Sequence, residues 1–438
     1  MTLAPAHPIP RRRWRIAFLL GIGVIVNYFD RVNLSVSHNA LVTTFGISAV
    51  AFGYLSGAYN LTYAACQLPV GVILDKFGVR RVGMVSTFLW SIASFSAALT
   101  PGLNGFFAAR FLLGVGEAPT FPANAKAIGA WFPTSERSFA TSVFDSAAKF
   151  SSAIGVPILG LLLLHIGWRW SFAFTGVLSL AYFVVFWAIY RDPQDDPGVT
   201  EAELLYIREE SVSQGEGLVH AEESIRLSLG YLLSQRKVLG LALGFGSYNY
   251  VFYLLLTWLP TYLSSALHID LMHSFLYTGV PWLVATFTDL FIGGMLVDAL
   301  IARGWNAHRV RSAVLIGGTA CGLGILGAAH AHTALRALIW ISVSIGGLSA
   351  AAPVGWSAPS LIAPRGSVGT VGGIVNFSNQ ISGIVAPIAT GYLVAAHQSF
   401  VWAFGVAAIY LLIGIASYIF LLGRIEPISI DPRQRLTE

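Results

Sequence analysis

Charge is scarce in this chain: 26 lysines and arginines and 21 aspartates and glutamates make up 11% of 438 residues. With 55% hydrophobic residues and a mean hydropathy of +0.69, that scarcity excludes an ordinary soluble domain and implies an integral membrane protein. Cysteine is scarcer still. Cys66 and Cys321 each sit inside an apolar run, far apart, so neither a disulfide framework nor a metal-ligand spacing is present, and both read as packing residues. No phosphate-binding loop and no catalytic-triad spacing occurs, so neither ATP-driven transport nor hydrolysis gains support, and no enzyme is expected. The pair His330 and His332 has no third or fourth ligand in reach, and the other histidines fall mostly in loops, so no metal site and no cofactor is expected. The net charge of +5 comes from basic residues beside hydrophobic segments, where they act as topology signals rather than as a nucleic-acid surface.

What is abundant is the long apolar run. Arg11, Arg12, Arg13 and Arg15 precede a first hydrophobic segment from Ile16 that is too long, and too poor in a small-residue cleavage site, for a signal peptide. At about 20 residues per span, further spans are predicted near 50–73, 81–101, 104–127, 138–164 and 168–190. A polar stretch from Arg191 to Lys237 follows, in which Thr200-Glu201-Ala202-Glu203 has the pattern of a capping box opening a short surface helix. Six more runs follow near 238–263, 274–301, 310–330, 333–357, 367–396 and 399–423. The expected fold is an all-α membrane protein: a six-helix bundle over 1–190, a cytoplasmic linker over 191–237, and a second six-helix bundle with a short tail over 238–438. Lys76, Arg80, Arg81, Arg137, Arg236, Lys237, Arg303, Arg309, Arg311, Arg365 and Arg424 all fall on one side of these twelve spans, which places both termini in the cytoplasm.

The two parts repeat. Gly71-Val72-Ile73-Leu74-Asp75-Lys76 with Arg80 and Arg81 is answered by Gly294-Met295-Leu296-Val297-Asp298 with Arg303 and Gly304, and Ala118-Pro119 by Ala352-Pro353. Repeats of this kind in a polytopic chain point to a transporter with its substrate site between the repeats, near the bilayer midplane.

Against that background the few charges inside apolar runs stand out, because each costs at least about 2.5 kcal/mol at the centre of a bilayer. Arg110, Gly114, Glu117 and Ala118 share one helical face, with the two ionisable groups about 10 Å apart, on a common stripe without touching. Such a stripe faces a polar cavity or holds helices together by an internal salt bridge. Asp30 and Arg31 lie about 22 Å into the first span, and as neighbours on a helix they point about 100° apart, so each must seek a partner on another helix. Asp145 and Lys149, four apart, form either a mutually neutralised structural pair or a pair whose lysine helps choose substrate. Asp289, the lone acid at comparable depth in the second part, is either a second ion site or a buried protonated carboxyl.

The repeated glycine-aspartate-basic loop resembles the signature of the major facilitator superfamily. More narrowly, Asn27-Tyr28-Phe29-Asp30-Arg31, Cys66-Gln67-Leu68-Pro69, the run from Arg110 to Pro122 with Trp131-Phe132-Pro133, and Thr257-Trp258-Leu259-Pro260-Thr261-Tyr262 resemble the anion:cation symporter family. That family includes bacterial permeases for galactonate, glucarate, hexuronates and phthalate. The resemblance implies twelve transmembrane helices in two pseudo-symmetric halves, and import of a small organic anion, a sugar acid, by proton symport in a bacterial inner membrane, with sodium as the alternative coupling ion. It implies that Asp30 and Glu117 are the protonatable carboxylates, that Arg110 is the coupling cation, that Arg31 faces the substrate carboxylate, and that Tyr63, Trp356, Asn376 and Gln380 line the site. Asp75, Arg80, Arg81 and Asp298 are expected to gate the cytoplasmic side through contacts broken on opening. The expected partners are the organic anion and the lipid bilayer, with the chain working as a monomer. Two readings stay open beside this one: a proton-coupled exporter of drugs or metabolites, and a receptor of the same fold that has lost transport.

Overall fold

The structure, a computed structural model, describes residues 11–213, 229–364 and 367–428. The side chains of Asp75, Arg137 and Arg365, named above, lie outside the described residues. Among the described residues there is no strand. The first group of helices is α1 (Arg12–Val36), α2 (His38–Phe45), α3 (Ala49–Leu99), α4 (Leu103–Glu117), α5 (Thr120–Trp131), α6 (Thr134–Ile166) and α7 (Trp168–Ile189). A connecting region carries α8 (Glu201–Ser213) and α9 (Leu229–Ser234). The second group is α10 (Arg236–Thr261), α11 (Leu271–Phe287), α12 (Val297–Ala302), α13 (Ala307–Gly322), α14 (Ile325–Ala329), α15 (Ala334–Ile362), α16 (Val368–His397) and α17 (Val401–Ala416). Among the described residues nine helices are long and apolar enough to cross a membrane, or ten if α2 and the start of α3, bent by 117°, count as one.

Three departures from regular helix shape these groups. The segments predicted at 50–73 and 81–101 run on as α3, and the turn between them is made at Gly78, whose φ of 77° and ψ of 164° belong to a region open essentially to glycine alone. Gly304, in the answering loop of the second group, also has a positive φ, 87°. The segment predicted at 104–127 is broken at Ala118-Pro119 into α4 and α5, and proline supplies no N–H with which to continue the ladder. The segment predicted at 274–301 passes through a π-helical stretch, Thr288–Leu296, which contains Asp289.

Each group packs chiefly on itself, α1 with α6 and α3 with α4 and α7 in the first, α10 with α16 and α15 with α11 and α13 in the second. Two main seams join the groups, α3 against α16 and α6 against α11, beside a smaller one of α1 against α10. Close approach along both main seams depends on glycine. A Cβ at Gly279 would stand 2.6 Å from the Ala153 carbonyl oxygen, and one at Gly391 would stand 2.5 Å from that of Ala49. Cys66 and Cys321 are free thiols, and Cys321 is exposed on α13 rather than packed inside.

The capping box is half formed. Thr200 Oγ1 accepts from the Glu203 backbone N–H at 3.3 Å, but the Glu203 carboxylate turns away from its own helix. It accepts instead from the backbone N–H groups of Arg12 (3.3 Å) and Arg13 (3.0 Å) and from the Arg13 guanidinium (3.2 Å), so it caps the otherwise open start of α1. Arg13 also donates to Glu136 at 2.7 and 2.9 Å, and Arg12 pairs with Asp196 at 2.9 Å. The connecting region is thereby tied to the beginnings of α1 and α6.

Candidate functional site

Three helices of the first group bring an arginine, a glutamate and a tyrosine together. Gly114 lies where any side chain would strike Thr62 and the Tyr59 carbonyl, so its lack of one lets α4 lie against α3 and sets Glu117, one turn on, beside Tyr59. Arg31 Nε, from α1, donates to Glu117 Oε2 at 3.1 Å, and the Tyr59 hydroxyl donates to the same oxygen at 2.6 Å. Glu117 is fully buried, and Arg31 is 7% exposed. The Arg31 guanidinium lies 4.5 Å from the ring centroid of Tyr28, 4.9 Å from that of Tyr59 and 5.4 Å from that of Tyr63, so aromatic faces supply part of the stabilisation that water would give. The pair is incompletely satisfied: among the described residues Arg31 Nη2 and Glu117 Oε1 find no hydrogen-bond partner.

Arg110 and Asp30 sit apart from this pair. Arg110 lies 5.1 Å from the Tyr59 centroid, so that one ring is shared by two guanidiniums, and its Nε and Nη1 make no hydrogen bond among the described residues. Among the described residues no carboxylate lies within 4.0 Å of it, and the arginine that Glu117 contacts is Arg31. Asp30 faces serines: Ser94 donates to its Oδ1 at 2.6 Å and Ser179 to its Oδ2 at 3.1 Å. It is held among α1, α3 and α7 and does not line the central cavity.

That cavity, about 700 Å³, lies between the two groups of helices. Arg31 and Tyr63 face it from the first group, and Trp356, Asn376 and Gln380 from the second. Trp356 is held edge-on to Phe245, with centroids 5.0 Å apart. Asn376 donates to Gln67 Oε1 across the groups at 3.3 Å, and Gln380 Oε1 is buried without a hydrogen-bond partner among the described residues. Five of the sequence-predicted site residues thus line one cavity, two from the first group and three from the second, while Asp30, Arg110 and Glu117 stand behind its first-group wall.

One end of the cavity reaches Asp298 and Arg311, close to the arginine-rich loops. The other end is shut. There Ser35 donates to the Thr257 carbonyl at 2.7 Å and Asn60 to the Gly383 carbonyl at 2.9 Å, while Trp258 packs against Phe52 (5.2 Å) and His38 (5.4 Å). Of the expected gating residues, Arg80 donates to the Trp187 carbonyl at 3.4 Å, and Arg81 and Asp298 are exposed with no ion pair among the described residues. The side chain of Asp75 lies outside the described residues.

The Asp145–Lys149 pair forms at 2.7 Å, but it is not self-contained: Lys149 Nζ is also 2.8 Å from Asp289 Oδ2, across the α6–α11 seam. In the sequence, Lys149 and Asp289 lie 140 positions apart, and Asp145 is the nearer partner for the lysine. The available signal was stoichiometric, since the lone deep acid of the second group needed a cation and its own group offered none. Tyr59 was also missed, although it lies one helical turn before Tyr63 on the same face.

The sequence profile of the Major Facilitator Superfamily matches residues 20–387. The chain is 39% identical over 419 residues to an uncharacterized transporter of Bacillus subtilis, YybO, covering 95% of this chain and 96% of that one. It is 31% identical over 436 residues to the probable galactarate/D-glucarate transporter GudP of Escherichia coli K12, covering 96% and 95%, and 29% identical over 431 residues to a D-galactonate transporter of Escherichia coli O6:H1, covering 96% and 97%. Among solved structures, a bacterial homologue of the human lysosomal transporter Spinster superposes with a TM-score of 0.74 at 16% identity, covering 97% of this chain and 100% of that one. A D-xylose-proton symporter gives 0.72 at 16% identity, covering 95% and 99%. At such identity these two speak for the fold.

Proposed function

Because the chain belongs to the Major Facilitator Superfamily and is a multi-pass membrane transporter rather than an enzyme, we propose that it imports a sugar acid together with protons by alternating access. The observation that carries the proposal is the buried Arg31–Glu117 pair, half satisfied, at the wall of a cavity between two groups of helices. Relatives whose names specify galactarate, glucarate and galactonate support the substrate class.

While Glu117 is ionised it occupies Arg31, and breaking a buried pair without replacing the lost charge costs about 3–5 kcal/mol. A proton delivered to Glu117 removes that obstacle: the carboxyl becomes neutral, and Arg31 turns its planar fork, including the free Nη2, to the substrate carboxylate. The substrate anion then stands where the Glu117 charge stood, so a buried positive charge is never left alone. Tyr63, Trp356, Asn376 and Gln380 supply the aromatic wall and hydrogen bonds for the hydroxylated carbon chain. Release of the anion restores the pair only when the proton leaves, which links the two fluxes. Arg110, with no carboxylate partner among the described residues and sharing the Tyr59 ring with Arg31, adds a second positive charge beside the pair. Asp30, among its serines, is a second carboxyl that takes a proton as α1 moves against α3 and α7.

The same reading assigns twelve spans in two bundles, 1–190 and 238–438, joined by a linker at 191–237, with both ends in the cytoplasm of a bacterial cell and the cavity open to that side. Arg80, Arg81, Asp75 and Asp298 close that end in the outward-open state. The test is proton uptake recorded with a trapped pH-sensitive dye after sugar acid is added to sealed vesicles. Substrate-dependent acidification of the lumen is expected. Substrate binding with no proton movement would favour a receptor, and substrate-dependent alkalinisation would favour an exporter.

A further inference from the structure

One buried ion cluster has no task in the symport cycle just described. Lys149 Nζ is 2.7 Å from Asp145 Oδ2 on its own helix, α6, and 2.8 Å from Asp289 Oδ2 in the π-helical stretch of the second group. Neutralising Lys149 requires only Asp145, one turn away. The second carboxylate comes from across the seam, and with it the ionised cluster carries a net charge of −1 in a site where Lys149 is 3% and Asp289 0% side-chain exposed. Among the described residues neither Asp289 oxygen makes a hydrogen bond, so its contact with Lys149 is an ion pair alone. The other groups facing the cluster are the phenols of Tyr248, from α10, and Tyr28, from α1. Asp145, Lys149 and Asp289 all line the cavity that Arg31 lines.

The cavity therefore holds two cations on its first-group wall, each engaged by an internal carboxylate that a substrate carboxylate can replace. We propose that Lys149 is a second carboxylate anchor with Asp289 as its placeholder, so that the preferred cargo is a dicarboxylate sugar acid held at Arg31 by one end and at Lys149 by the other. The inference rests on the symport reading and names its substrate class. Charge balances at each end. The incoming carboxylate brings −1, the displaced Asp289 takes one proton, and the cluster stays at −1, with Asp145 remaining on Lys149. The π-helical stretch that carries Asp289 belongs to the group that moves relative to α6 in alternating access, so departure of Asp289 from Lys149 accompanies loosening of the seam.

The experiment measures binding of a six-carbon aldonate and the aldarate of the same configuration to the purified protein in detergent. An anchor of this kind contributes the strength of a charge-assisted hydrogen bond, so the wild type binds the aldarate about tenfold or more tightly than the aldonate. Lys149→Gln lowers aldarate affinity about tenfold more than aldonate affinity, Lys149→Arg restores most of the difference, and Asp289→Asn, which removes the competitor, raises aldarate affinity relative to aldonate. If Lys149→Gln does not fold, Asp289→Asn decides alone. Equal affinity of the wild type for both acids, or an equal change in both on substitution, overturns the anchor and leaves the symport reading standing. Absence of binding of either acid to the wild type overturns both.

Discussion

Replacing Glu117 by glutamine separates coupling from binding. Glutamine has the same shape and still offers an oxygen to the Tyr59 hydroxyl, which now donates at 2.6 Å, but it neither ionises nor holds Arg31 as an ion pair. Two consequences follow for a monocarboxylate such as an aldonate. With the membrane potential clamped at zero, each proton carried multiplies the accumulation ratio by about ten for each unit of pH difference, because one pH unit is 1.36 kcal/mol. Glu117→Gln should remove the factor of about ten that its own proton contributes to that ratio in proteoliposomes with a one-unit inward proton gradient. The second consequence concerns affinity. Arg31 no longer exchanges one buried carboxylate for another, so aldonate affinity should rise, by about tenfold if the released pair is worth one charge-assisted hydrogen bond. Counterflow between equal pH compartments, which needs no net proton movement, should persist. The assay compares gradient-driven uptake with counterflow of labelled aldonate in the same vesicles. Full uphill accumulation by the variant would refute the placement of the coupling proton on Glu117.

Arg31→Lys should weaken aldonate binding about tenfold in equilibrium binding, because a lysine cannot reproduce a two-pronged carboxylate contact while lying over Tyr28 and Tyr59. Gly78→Ala should lower the melting temperature in detergent, since φ 77° and ψ 164° strain any residue with a side chain by about 1–3 kcal/mol. At the start of α6, the Arg13 guanidinium holds the Glu136 carboxyl below its ordinary 4.5. A depressed value stabilises the fold above the ordinary one and ceases to do so as pH falls through the depressed one, so the melting-temperature gap between wild type and Glu136→Gln should be present at pH 7 and close below pH 4.5. Because Glu136 is partly exposed, that gap should correspond to no more than about 1 kcal/mol.

The cost of burying charge made Arg31 and Glu117 legible in the sequence, and 86 positions apart they meet at 3.1 Å. The inference that Asp30 and Arg31 must face different helices was equally legible, because it follows from helix geometry alone. What Asp30 finds there was not: Ser94 and Ser179 are ordinary residues of apolar helices, and nothing in their spacing marks them as partners. Helix periodicity located the long segments but passed over the break at Ala118-Pro119, where proline lacks the N–H that would continue the ladder, and the π-helical stretch around Asp289, which depends on packing between helices rather than on hydropathy. The same limit hid the Lys149–Asp289 contact. Asp145 already satisfied Lys149 at helical spacing, so local reasoning stopped there, and only the seam between α6 and α11 brings in the third member. Glu203 shows how a correct local signal can be redirected: the helix predicted from its motif is present, yet the carboxylate caps α1.

The most direct test of the central claim is uptake of labelled aldonate and aldarate into proteoliposomes under an inward proton gradient and, separately, a sodium gradient at equal pH. The account predicts accumulation above equilibrium with protons alone. Accumulation with sodium alone, or none with either gradient while other solutes are exchanged or expelled, would contradict it.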